Sequence, residues 1–297
     1  MKKILLIIGI LLLFITSVVI ADDETVATAE TPEAAERPLA PHFTSLDDAL
    51  AARSDDRNYL IDFYTDWCVY CKMLDTLVFN QQAMIDYFTN EMTMVKVNAE
   101  VDTLLAQKYH VSGYPTAVLI HKDGSEIDRI VGYAETEEYL QRLKDYQLGI
   151  GTLDDLLIKI EKKFEREMAF EIADKYKYRG GLDEAKMWFT KVMTSGEPSD
   201  SLTAESRMSL ADMSLRAKDY DDALKGFTAL AADFKGKPTG ETAEIYRAIV
   251  FRRQGDTLQA IGAFEQFIAD HPESEDAEYA QSQIKKLKGE EEHPEEN

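Results

Sequence analysis

Cys68 and Cys71 are the only cysteines in the 297 residues, separated by Val69 and Tyr70. Thiols at this spacing at a helix start suit thiol–disulfide exchange. The thiolate is the nucleophile, and a helix N-terminus favours it through free N–H groups and a partial positive charge. Two other chemistries fit the same residue types: half of a zinc site, or an inert structural disulfide. Zinc would need further ligands, and the five histidines, His42, His110, His121, His271 and His293, lack ligand spacing. A framework of several disulfides is excluded by the count alone.

Positioning the pair is the task of the elements around it. Tyr59 to Tyr64 is an aromatic and β-branched run that reads as a strand leading to the cysteines. A helix is expected from about Cys68, with Met73, Leu74, Leu77 and Val78 on its inner face. Ser45 sits where a cap belongs, ahead of Leu46, Ala49 and Leu50. Further helix is expected over 81–88, 102–109 and 136–146, a strand over 94–98, and a hairpin of 116–120 with 126–131 turned at Asp123-Gly124. The order β, α, β, α, β, β, α predicts a small α/β domain with a mixed sheet and flanking helices.

The run Asp62-Phe63-Tyr64-Thr65-Asp66-Trp67-Cys68-Val69-Tyr70-Cys71-Lys72 resembles the thioredoxin family, with its best local match in exported DsbD-type C-terminal domains. Lys96 on the next strand and the loop Val111-Ser112-Gly113-Tyr114-Pro115-Thr116 belong to the same resemblance, which spans about 45 to 147. It implies a thioredoxin fold and a catalytic pair in which Cys68 attacks and Cys71 resolves. Asp62, buried below, would take the proton of Cys71, and Lys96 would neutralise Asp62. Trp67, Tyr70, Tyr114 and a cis Pro115 would meet the substrate. No metal or organic cofactor is implied. The family's prototype carries Gly-Pro between its cysteines and a proline five residues after the second; here Val69-Tyr70 and Thr76 stand there. Strong oxidants of this fold place a charged histidine between the cysteines, so the uncharged Tyr70 favours a reductant. An oxidase or isomerase on the same fold is the first alternative. A repeat-based envelope assembly adaptor with an inactive cysteine pair is the second.

Beyond Gly149-Ile150-Gly151 strand signals stop and helical patterns continue to about Lys288. Ala185 with Phe189, Ala223 with Phe227, and Ala260 with Phe264 repeat one motif, the alanines lying 38 and 37 residues apart. This resembles degenerate tetratricopeptide repeats, whose period is about 34 residues, over roughly 160–272, with 274–287 as a capping helix. Such repeats imply a protein partner. The domains are therefore expected at 42–148, thioredoxin-like, and 152–288, helical repeats, with an acidic tail at 289–297.

Fifty-five acidic against 33 basic residues give a formal charge of −22, which disfavours nucleic acid and anionic membrane surfaces as partners. Lys2 and Lys3 precede an apolar run from Ile4 to Ala21, expected to be a signal peptide or an N-terminal anchor. A flexible acidic linker is expected at 22–41. The expected location is therefore outside the cytoplasm, in the periplasm or cell envelope, with anchoring to the inner membrane by 4–21 as one option. The expected substrates are protein disulfides. With no third cysteine, the pair would be re-reduced by a membrane thiol electron donor of DsbD type.

Overall fold

Period-two alternation along β1 (Tyr59–Tyr64) sends Tyr59, Ile61 and Phe63 into one core and Leu60 into another, so both sheet faces must be covered. The computed structural model describes residues 39–52 and 55–289. The expected signal or anchor at 1–21 and most of the expected linker and tail lie outside the described residues. β1 is central in the order β2-β1-β3-β4. It runs parallel to β2 (Thr93–Asn98) and antiparallel to β3 (Thr116–Ile120), and β3 pairs antiparallel with β4 (Glu126–Val131). This is the expected mixed sheet.

α1 (Leu46–Ala52) and α4 (Thr103–Lys108) cover the Ile61 face. α2 (Val69–Met73), through Leu74, Val78 and Phe79 of its continuation, covers the Leu60 face together with α3 (Gln82–Asn90) and α5 (Thr136–Gln147). Asp62 lies two residues from Leu60 and shares its side of the sheet, beneath the helix that starts after Cys68. One difference from expectation lies in that helix. From Leu74 to Phe79 it is π-helical, and the wider turn brings Phe79 into the core with Leu74 and Val78 while Leu77 turns out to 45% exposure.

The second half is all helix, with α6 (Leu153–Lys162) followed by three pairs: α7 (Arg166–Tyr178) with α8 (Leu182–Thr194), α9 (Ser201–Arg216) with α10 (Tyr220–Asp233), and α11 (Pro238–Gln254) with α12 (Thr257–Asp270). α13 (Asp276–Lys288) covers the last pair through Ala280 and Ile284. The six repeated positions, Ala185, Phe189, Ala223, Phe227, Ala260 and Phe264, are all fully buried. Small residues recur because the helices approach closely: a Cβ on Gly226 would stand 2.8 Å from Ala211 Cβ. Asp219 and Asp256 cap α10 and α12 by accepting from the N–H groups of Asp222 and Gln259. Among the described residues no helix is long and apolar enough to cross a membrane.

Both halves belong to one compact unit. At their junction Asp128 of β4 is fully buried, its Oδ2 accepting from Lys175 Nζ at 3.1 Å and from the Leu153 N–H at 2.9 Å. Its Oδ1 meets Arg179 Nη2 at 3.1 Å. Arg179 also donates to the Ile127 carbonyl, and Arg129 to the carbonyl of Tyr178. Lys175 Nζ further binds the Tyr146 hydroxyl at 3.0 Å.

Candidate functional site

Cys68 is the N-cap of α2, its Sγ accepting from the Cys71 N–H at 3.1 Å. The two cysteines form a disulfide. Among the described residues, no cluster of side chains could hold a metal ion. Cys68 is 5% and Cys71 4% exposed, so burial does not distinguish an attacking from a resolving sulfur. What distinguishes them is position: the cap hydrogen bond falls on Cys68, while Cys71 lies inside the first turn.

Below the helix, Asp62 is 2% exposed and sits 3.3 Å from Lys96 Nζ, its register partner on β2. Burial pushes the Asp62 carboxyl up to about 6, and Lys96 opposes only part of that shift. Burial lowers Lys96, but the carboxylates of Asp62 and Asp75 outweigh it and hold the ammonium above the usual lysine range. Asp62 is therefore interior and Lys96 nearly so. Asp62 Oδ1 has no hydrogen-bond partner among the described residues.

Asp75 was not anticipated. It bonds Lys96 from the π-helical turn, making the chain Asp62, Lys96, Asp75. Its sequence signal was its place four residues after Cys71, one turn on along the same helix.

The expected substrate side gathers as well. Tyr114–Pro115 is a cis peptide bond, and Tyr114 meets Trp67 edge-on at 5.9 Å between ring centroids. Trp67 is 65% exposed and donates from Nε1 to Glu100 at 2.9 Å. Tyr70 lies open to solvent beside Val69. Pro115 is buried, and its carbonyl accepts from the Gly132 N–H, tying the loop to the end of β4. An exposed aromatic rim thus surrounds a shielded disulfide.

Comparison with known proteins agrees with this geometry. A family model described as thioredoxin matches residues 42–145, and one described as tetratricopeptide repeat matches 243–274. The thiol:disulfide interchange protein DsbD of Pasteurella multocida is 36% identical over 97 residues, 30% of this chain but 17% of that protein. The match thus spans about a sixth of the length of those relatives. Among solved structures, a DsbH oxidoreductase aligns with a TM-score of 0.34 at 17% identity, over 42% of this chain and 94% of that one. A thioredoxin of Chlamydia caviae is 33% identical over 87 residues, 29% of this chain and 80% of its own length. With four fifths of a whole thioredoxin aligned at that identity, the chain belongs to the thioredoxin family.

Proposed function

We propose that the protein is an exported thiol:disulfide oxidoreductase that reduces protein disulfides, with its helical repeats engaging a protein partner. The observation carrying this reading is the Cys68–Cys71 pair at a helix start above a buried Asp62 whose carboxyl is pushed up to about 6, basic enough to take a thiol proton. In the reduced form the Cys68 thiolate attacks one sulfur of a client disulfide. A bond forms from Cys68 Sγ to that sulfur, and the other client sulfur leaves as thiolate. Cys71 then gives its proton to Asp62 and attacks Cys68 Sγ. The client's second sulfur departs, the client has gained two electrons, and the enzyme is left with its own disulfide. A membrane dithiol donor of DsbD type would restore the reduced pair, outside the cytoplasm.

Asp62 gives this mechanism a double signature. Its carboxyl titrates near 6 in the folded protein and near 3.9 in the unfolded chain. The raised value means that ionisation costs stability: the cost is absent below about pH 4, grows to about pH 6 and stays constant above. Asp62→Asn is therefore expected to stabilise the protein at pH 7.5 by up to about 3 kcal/mol and to add nothing near pH 4. The same variant should slow resolution of the mixed disulfide about a hundredfold or more. Urea melts at both pH values and single-turnover kinetics check this. A variant that loses stability at pH 7.5, or resolves at the wild-type rate, would remove Asp62 from the mechanism.

The direction of electron flow is tested by equilibration with glutathione buffers, followed through Trp67 fluorescence. With no charge between the cysteines, the potential is expected between about −270 and −200 mV. A value near −120 mV would make the protein an oxidant instead.

A further inference from the structure

A groove of about 510 Å³ opens where the loop before cis-Pro115 meets the first two helix pairs. Val111, Tyr178, Leu182, Met213 and Ala217 line it with apolar surface, and Lys177, Asp212 and Arg216 add charges. Its two walls touch. Arg216 of α9 donates from Nη1 to the Ser112 carbonyl at 3.2 Å while its Nε holds Asp212 at 2.7 Å. His110 lies against Gly180, where a Cβ would come within 2.9 Å of the imidazole, and Gly180 has a φ of +80° besides. The loop and the repeats therefore form one continuous surface.

Ser112 is three residues from Pro115 in a bent loop, so the two lie within about 10 Å of each other. Trp67, beside Cys68, meets Tyr114 at 5.9 Å, so a polypeptide whose disulfide lies on Cys68 would reach the groove a few residues from its cysteine, taken as four. We propose that this groove is a client subsite, binding an extended segment of the disulfide-bearing polypeptide through a large apolar side chain at that separation. The proposal rests on the reductase reading above and adds where the client chain runs next. The segment 290–297 does not suit the groove, since it reads Glu-Glu-Glu-His-Pro-Glu-Glu-Asn without one large apolar side chain.

The test uses the full-length protein and synthetic peptide disulfides with arms of two or eight residues. One long arm carries Leu four residues from its cysteine, and a second carries Ser there. The long Leu arm is expected to exceed the short arm in kcat/KM by about tenfold, the scale of one buried apolar side chain, and the Ser arm to lose that gain. Leu182→Glu and Ala217→Arg each place a charge in the groove at a helix end where that sign is tolerated. In both variants the ratio of long to short arm should fall to about one. An arm effect absent in the wild type, or equal in the variants, overturns the subsite while leaving the reductase intact. Failure to reduce even the short-arm peptide would overturn the reductase reading and the subsite together. A change of oligomeric state in the variants on size exclusion would show that a second copy fills the groove, and would also overturn the proposal.

Discussion

Cys71→Ser is expected to stop turnover and to accumulate a stable mixed disulfide between Cys68 and the client. Resolution by Cys71 is intramolecular, so losing it leaves only slow attack by outside thiols, a fall of at least about 10³-fold. Cys68→Ser should lose turnover equally but capture nothing, because the remaining sulfur lies within the first turn and not at the cap. Non-reducing gels and mass spectrometry of the adducts decide the matter. Adducts on Cys71 in the Cys68→Ser protein would reverse the assigned roles. The equal burial of the two sulfurs makes this a real test, since only the helix-terminus effect separates them.

Asp128→Ala should cost about 3 kcal/mol or more of folding stability. The substitution strands Lys175 and Arg179 at the junction without their shared carboxylate, and breaking a buried pair from one side is far costlier than never having built it. Lys175 keeps the Tyr146 hydroxyl and a carboxylate 3.8 Å away on Glu171, which holds the loss to the lower end of the range. Set against a total of 5–15 kcal/mol for ordinary proteins, the effect should be plain in a urea melt. A change below about 1 kcal/mol would mean that the junction carries little of the fold. A fragment of 42–148 is a gentler perturbation, because cutting the chain lets water reach Asp128. It should fold on its own sheet and two cores, with reduced stability.

The sheet was legible because its strands are short aromatic or β-branched runs separated by strong turn signals such as Asp123-Gly124. The spacing of the cysteines was legible by itself, while the loop ending in Pro115 and the Asp62–Lys96 pair were legible only through the resemblance to the thioredoxin family. Alternation alone left Asp62 open, since a six-residue strand buried on both faces shows no polar side. The outward turn of Leu77 depends on a π-helical stretch, whose wider turn leaves no mark in an apolar pattern read at period 3.6. The junction was hidden for a different reason. Asp128, Lys175 and Arg179 look like surface charges in an acidic chain, and only the folding of α7 onto β4 makes them interior.

That junction also alters how the sheet ends. On the β2 side Phe43 pairs with the strand through its N–H and carbonyl, and on the β4 side the Ile127 carbonyl and the Arg129 N–H are taken by side chains. Both borders are thus occupied at their middle positions, Phe43 beside Val95 on one side and residues 127 and 129 on the other. At these positions an extended segment of another chain finds the backbone groups it would need already taken, so growth of the sheet by an added strand is opposed.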